Sequence, residues 1–139
     1  MKISEKLNID FGSISLSKEE IIDFAKRYDP LDFHTNIDIA NQSFFKGLIA
    51  SGPHIFNVFY RKKWIPLFGH TVIAGMEVSN WKFLKPIYAD QPIQCFVKVD
   101  QMSISKEKGT AIVKWQYSFK NDKQENCQTV DLTILHKLD

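Results

Sequence analysis

The sequence predicts a single α+β domain in which an antiparallel β-sheet curls around one central helix. Two observations favour this fold class. The hydrophobic period changes once, from that of helices and loops in the first half to the alternation of β-strands in the second. One helical segment is also apolar around most of its circumference, which indicates a helix surrounded by protein. The 139 residues are enough for one hydrophobic core, so we expect one domain over residues 1–139.

The composition is that of an ordinary globular protein, with 44% hydrophobic and 24% charged residues. Its 18 basic and 16 acidic side chains give a formal charge of +2, which is too balanced to favour nucleic acid or a membrane surface as a partner. No segment approaches the roughly 18 consecutive apolar residues of a membrane span, and the N-terminal residues lack the apolar core of a signal peptide. Cys95 and Cys127 are too few for a disulfide framework. We therefore expect a cytoplasmic protein with reduced thiols.

The first helix is predicted in the segment "SKEEIIDFAKRY". Ser17 and Glu20 have the spacing of a capping box. The predicted apolar face consists of Ile21, Ile22, Phe24, Ala25 and Tyr28. Asp29-Pro30 should end the helix, because a residue before proline disfavours the α conformation. A second, short helix is predicted near "IDIANQSF", with Asn36 as its cap.

The central helix is predicted in the segment "SGPHIFNVFYRKKWIPLFG". Ser51, Gly52 and Pro53 suit a helix start, as a polar cap, a permissive glycine and a first-turn proline. Large apolar side chains then occur at nearly every helical angle: Ile55, Phe56, Val58, Phe59, Tyr60, Trp64 and Ile65. We expect Pro66 and Gly69 to end the helix.

Three or four strands are predicted in the second half, within "VIAGMEVSNWKFL", "QPIQCFVKVDQMSIS", "TAIVKWQYSFK" and "CQTVDLTILHK". In the last three segments, alternate apolar side chains share one face: Ile93, Cys95, Val97 and Val99; Ala111, Val113, Trp115, Tyr117 and Phe119; Val130, Leu132 and Ile134. The connections "SKEKG" and "NDKQEN" are short and polar, so we expect antiparallel neighbours.

Three blocks carry a family resemblance: "FAKRYDPLDFHTN", "SFFKGLIASGPH" and "WKFLKPIYADQPI". In order and spacing they resemble the MaoC-like dehydratase family, the (R)-specific enoyl-CoA hydratases of the hotdog fold. The resemblance implies a sheet wrapped around a long helix, and a homodimer or higher homo-oligomer formed through the sheets. It also implies hydration of trans-2-enoyl thioesters, or dehydration of 3-hydroxyacyl thioesters, carried by coenzyme A or an acyl carrier protein. No cofactor is implied.

The resemblance also implies site residues. Asp29 and His34 would hold and activate the water, and the Gly52 N–H would receive the thioester carbonyl oxygen. The chemistry requires a base, an acid and a group that stabilises enolate charge. Histidine titrates near working pH, a helix start offers unpartnered N–H groups, and glycine allows close approach to the backbone. The sequence leaves open which of Asp29 and His34 is the acid and which the base.

Other candidates have simpler interpretations. Ser51 is interpreted as a helix cap rather than a catalytic group. His54 matches a histidine found in the "SG-x-H" stretch of the family and is interpreted as a core residue with satisfied polar atoms. His70 and His136 follow no motif and are interpreted as structural or solvated. The histidines lack HxH and HxxxH spacing, so no metal site is expected.

Three residues depart from the family pattern, and two other functions stay open. Leu31 stands where the family has an amide residue, Asp32 where it has a second proline, and Asn36 where it often has an aspartate. These changes leave Asp29 and His34 in place and bear on substrate preference and activity. A hotdog thioesterase is the first alternative. Many such enzymes carry a working carboxylate on the central helix, and residues 51–66 contain none, although some use a loop aspartate. The second alternative is a non-catalytic subunit that only binds acyl thioesters.

Overall fold

A computed structural model describes residues 1–138 and has the predicted α+β architecture. Its elements follow in the order β1 (Asn8–Ile14), α1 (Lys18–Tyr28), α2 (Asp32–Thr35), α3 (Ile37–Gln42), α4 (His54–Phe59), a π-helical turn (Tyr60–Trp64), α5 (Ile65–Phe68), a 3-10 turn (Gly69–Thr71), β2 (Val72–Phe83), β3 (Ile93–Ser105), β4 (Thr110–Lys120) and β5 (Asn126–Lys137).

Five antiparallel strands form one sheet in the order β1-β3-β4-β5-β2. Strands β2 to β5 are the predicted ones, and the two short polar connections join β3 to β4 and β4 to β5 as expected. The predicted inward side chains of β3, β4 and β5 are all buried. They pack on the central helix, where Trp115 contacts the Trp64 ring at 5.3 Å and Tyr117 contacts the Phe56 ring at 5.0 Å between centroids.

Strand β1 was not predicted. Gly12 has a φ of +76°, and its N–H donates to the Asp10 carboxylate over 2.8 Å. The register with β3 shifts between Asp10 and Ser13. This bulge interrupts the two-residue alternation of the strand, which was the only pattern that could have revealed it.

Helix α1 is confirmed together with its capping box. The Ser17 hydroxyl accepts from the Glu20 N–H over 3.1 Å, and the Glu20 carboxylate accepts from the Ser17 N–H over 3.0 Å. Its apolar face is narrower than predicted, because Tyr28 is 70% exposed. Helix α3 is confirmed as well, with the Asn36 side chain as its cap. The intervening single turn α2, on which His34 lies, was not predicted.

The central helix is one continuous helical run over residues 54–71, with three corrections to the prediction. Pro53 occupies the cap position, so Ser51 does not cap the helix. Pro66 lies in the first turn of α5 instead of ending the helix. In an ordinary α-helix, a proline ring collides with the preceding turn. The turn that precedes Pro66 is a wider π turn, which has a different hydrogen-bonding pattern. One side of the helix, with Asn57 and residues 61–63, is exposed instead of surrounded.

Strand β2 is one edge of the sheet. On its outer side it pairs with no other strand among residues 1–138. Ile73, Met76 and Val78 are each about half exposed along it.

Within the described chain, none of the helices has the length and apolar content needed to cross a membrane.

Candidate functional site

A cleft of about 580 Å³ opens at the start of the central helix. It brings together four of the five candidate residues, Asp29, His34, Ser51 and Gly52. Its apolar walls come from Phe44, Phe45, Ile49, Phe83, Leu84 and Ile87. A larger groove of about 710 Å³ is lined by polar and lysine side chains of the sheet, without a histidine. We place the candidate site in the smaller cleft because the histidine–carboxylate pair of His34 and Asp29 lines it.

Asp29 and His34 approach each other from neighbouring elements. Asp29 is the C-terminal cap of α1. Its N–H donates to the Ala25 carbonyl over 2.8 Å, and Pro30 prevents another helical turn. The single turn α2 then carries His34 back into the protein, where the ring is only 5% exposed. His34 Nε2 lies 3.4 Å from Asp29 Oδ2.

The backbone assigns the His34 tautomer. His34 Nδ1 lies 2.7 Å from the carbonyl oxygen of Ile49. A carbonyl oxygen can only accept, so Nδ1 carries the proton and donates it. In the neutral ring, Nε2 is therefore an acceptor, and it faces a carboxylate that is also an acceptor. Two acceptors at this distance repel each other unless one of them is protonated or a water molecule beside the pair donates to both.

Ser51 contacts the catalytic candidate Asp29. Its hydroxyl donates to Asp29 Oδ2 over 2.6 Å, and the residue is buried. A hydrogen bond to a carboxylate is stronger than one between neutral groups, so Ser51 fixes the orientation of Asp29. The two residues are 22 positions apart in sequence, which is why the pattern suggested a helix cap instead.

Gly52 has an unused backbone donor. Among the hydrogen bonds of the described residues, none has the Gly52 N–H as its donor. Its φ is not positive, so the backbone conformation does not require glycine. The space beside it does: a Cβ at position 52 would lie 2.6 Å from Cε1 and 2.8 Å from Cζ of Phe83. A larger residue would therefore displace the ring that walls the cleft.

Gln128 also lines the cleft and Trp81 binds it from behind, and neither was predicted. Gln128 Nε2–H donates to the Gly52 carbonyl over 2.9 Å, and Trp81 Nε1–H donates to Gln128 Oε1 over 2.9 Å. Gln128 lies on β5 and pairs with Phe119, an inward residue of β4. A polar side chain at an inward strand position was the signal that could have identified it.

The fifth candidate, His54, lies outside the cleft lining. It is buried, and its ring stacks on Phe24 with 4.2 Å between centroids and 7° between planes. The expectation that its polar atoms are satisfied was wrong, since Nδ1 has no partner among residues 1–138. Burial lowers the pKa of His54, and the nearby Glu20 carboxylate partly opposes this. Among residues 1–138, no three His, Cys, Asp or Glu side chains are grouped so that they could hold a metal ion.

Solved structures match this architecture over nearly the whole chain. The MaoC-like dehydratase from Rhodospirillum rubrum superposes with a TM-score of 0.84 at 22% identity, covering 99% of this chain and 94% of that one. The (R)-hydratase from A. caviae involved in PHA biosynthesis gives 0.75 at 16% identity, covering 99% and 98%. A monoamine oxidase regulatory protein from Archaeoglobus fulgius gives 0.86 at 20%, covering 99% and 92%. The protein therefore has the hotdog fold of the MaoC-like dehydratases and (R)-hydratases, as the three sequence blocks predicted.

The family is shown by a closer sequence match. The uncharacterized protein YdeM of Bacillus subtilis (strain 168) is 32% identical over 128 residues, covering 90% of this chain and 89% of that protein. The chain belongs to the same family as YdeM. No protein-family model matches the chain.

Proposed function

We propose that the protein is a hydro-lyase that adds water to trans-2-enoyl thioesters with (R) stereochemistry, and that removes water from 3-hydroxyacyl thioesters. One observation carries the proposal: His34 Nε2 and Asp29 Oδ2 face each other at 3.4 Å in an apolar cleft that is also lined by Gly52, whose N–H has no partner among residues 1–138. The similarity in fold to dehydratases and (R)-hydratases supports the same reaction class.

The reaction follows from these positions. A water that lies beside the pair and donates to His34 Nε2 and Asp29 gives a proton to one of them while its oxygen bonds to the β-carbon of the enoyl group. The electrons of the double bond move toward the thioester, and the Gly52 N–H stabilises the negative charge on its oxygen. The pair then delivers a proton to the α-carbon, so that one water has been added. The apolar walls formed by Phe44, Phe45 and Leu84 suit an acyl chain.

The test is to incubate the purified protein with crotonyl-coenzyme A and, separately, with butyryl-coenzyme A. Loss of the conjugated double bond in the first reaction is expected, together with an (R)-3-hydroxybutyryl product by chiral analysis. Free thiol from butyryl-coenzyme A without enoyl loss would identify a thioesterase. Neither signal across acyl chain lengths would identify a subunit that only binds thioesters.

Variants assign the residues. Asp29→Asn and His34→Asn should each lower hydration by about 100-fold to 10,000-fold. The asparagine at position 34 can still donate to the Ile49 carbonyl, so the fold should persist. Asp32→Asn is the matched control, because Asp32 is exposed on α2 and does not line the cleft. Full activity in both site variants would refute the assignment.

We further propose that two copies associate through β2. A 12-residue edge strand with half-exposed Ile73, Met76 and Val78 presents unpaired backbone groups and apolar side chains together. Light scattering after size exclusion should give a dimer for the wild type and a monomer for Met76→Lys/Val78→Lys. Ile104→Lys, at an equally exposed apolar position on β3, should stay dimeric. A wild-type monomer would refute this proposal.

We also propose a cytoplasmic location, because the buried free thiols of Cys95 and Cys127 fit a reducing compartment.

A further inference from the structure

The peptide groups on both sides of Gly52 are held by hydrogen bonds. The Ser51 carbonyl accepts from the His54 N–H over 3.1 Å, and the Gly52 carbonyl accepts from Gln128 Nε2–H over 2.9 Å. Glycine has more backbone freedom than any other residue, so a glycine N–H keeps one direction only if the surroundings restrain it. The bond from Gln128 reaches Gly52 across 76 positions of the sequence.

Gln128 can act in only one orientation. An indole N–H is a donor and never an acceptor, so Trp81 fixes the oxygen end of the Gln128 amide. The NH₂ end must then face the Gly52 carbonyl. Gln128 is 2% exposed, so water cannot replace either bond easily. A flipped amide would lose both bonds.

We propose that Gln128, oriented by Trp81, is a positioning residue that keeps the Gly52 N–H aimed at the thioester oxygen. The inference rests on the proposed function and adds to it a residue outside the motifs. A donor aimed in advance stabilises developing charge without reorganising during the reaction. The Gly52 N–H belongs to the Ser51–Gly52 peptide, and the Gly52 carbonyl belongs to the Gly52–Pro53 peptide. When the bond to Gln128 is lost, the second peptide is no longer anchored, and Gly52 is held only through the bond from the His54 N–H to the Ser51 carbonyl. A misplacement of about 1 Å at a reacting group can cost on the order of 100-fold in rate.

Kinetics separates positioning from mere packing. Gln128→Leu removes both hydrogen bonds at similar side-chain volume, and Trp81→Phe removes only the orienting donor. We expect Gln128→Leu to lower kcat for crotonyl-coenzyme A by about 10-fold to 100-fold with little change in KM, because the lost stabilisation belongs to the transition state. Trp81→Phe should cause a smaller fall in kcat. Thr129→Val, the neighbouring position on β5, should leave kcat unchanged.

A second measurement follows the Gly52 amide directly. In ¹⁵N relaxation experiments its order parameter should be about 0.85 in the wild type and in Thr129→Val, and should fall toward about 0.6 in Gln128→Leu. Unchanged kcat and an unchanged Gly52 order parameter in a folded Gln128→Leu would overturn the positioning role alone. Absence of wild-type turnover would instead refute the proposed function, and the positioning role with it. If Gln128→Leu does not fold, Trp81→Phe decides by the same two measurements.

Discussion

His136 should make the folded protein markedly less stable in mild acid. The ring is 1% exposed at the end of β5. Its Nε2 accepts from Trp115 Nε1–H over 3.1 Å, and its Nδ1–H donates to the Thr71 hydroxyl over 2.8 Å. Thr71 in turn donates to the Phe68 carbonyl over 3.2 Å. Because an indole only donates, a proton on Nε2 would face the Trp115 N–H and break this chain.

The magnitude follows from the pKa of His136. Burial, with a smaller effect from His70, lowers it from 6.5 to about 4. Between these two values the unfolded chain binds a proton that the folded chain does not. The stabilisation by neutral His136 is therefore complete above pH 6.5, declines as the pH falls, and is lost below about pH 4. At 1.36 kcal/mol for each unit between the two pKa values, it is worth about 3 kcal/mol.

The assay is urea unfolding at fixed protein concentration from pH 7.5 to pH 4. His136→Gln offers Trp115 an acceptor and Thr71 a donor, but it does not titrate. Its free energy of unfolding should fall less than that of the wild type over this range, by about 3 kcal/mol. His70→Gln is the control for loss of an exposed histidine, and it should change the pH dependence only slightly, because His70 has the smaller effect on the pKa of His136. If His136→Gln and the wild type lose stability in parallel, the neutral buried histidine is not the cause.

Three further predictions concern single residues. Ser51→Ala should lower kcat for crotonyl-coenzyme A by about 10-fold to 100-fold, because a hydrogen bond to a carboxylate is worth about 1.5–3 kcal/mol. Ser51→Thr should recover much of the lost activity. A steady-state rate of Ser51→Ala equal to that of the wild type would contradict the role of Ser51. Gly52→Ala should lower the free energy of unfolding in urea titrations by about 1 kcal/mol, because its Cβ collides with the Phe83 ring. In a Phe83→Ala background the ring is gone, so adding Gly52→Ala should no longer lower the free energy of unfolding. An equal loss in both backgrounds would argue against the ring contact. Ser17→Ala should cost about 1 kcal/mol through the lost capping box, and thermal unfolding of Ser15→Ala, just outside the helix, should match the wild type.

Elements with a regular local pattern could be predicted from the sequence. Strands β3, β4 and β5 each contain a run of alternating apolar side chains, and the capping box of α1 fits within four residues. Strand β1 could not be predicted, because the Gly12 bulge disrupts its alternation. Helix α2 is a single turn of four residues, too short for any periodicity.

The candidate site divides in the same way. Asp29, His34 and Gly52 lie in short motifs, and all three line one cleft. The bond from Ser51 to Asp29 and that from Gln128 to Gly52 join residues 22 and 76 positions apart. Such contacts depend on how α1, the central helix and β5 pack, and no local pattern encodes that arrangement.

Strand β2 belongs to two surfaces at once. Near its end, Phe83 packs over Gly52 in the cleft, while Met76 and Val78 lie along its unpaired edge. Whatever binds that edge also restrains the strand that forms the cleft wall. In the proposed dimer, subunit association and binding of the proposed thioester substrate are linked equilibria, so each should change the affinity of the other by the same factor. Specific activity measured against protein concentration would reveal that linkage.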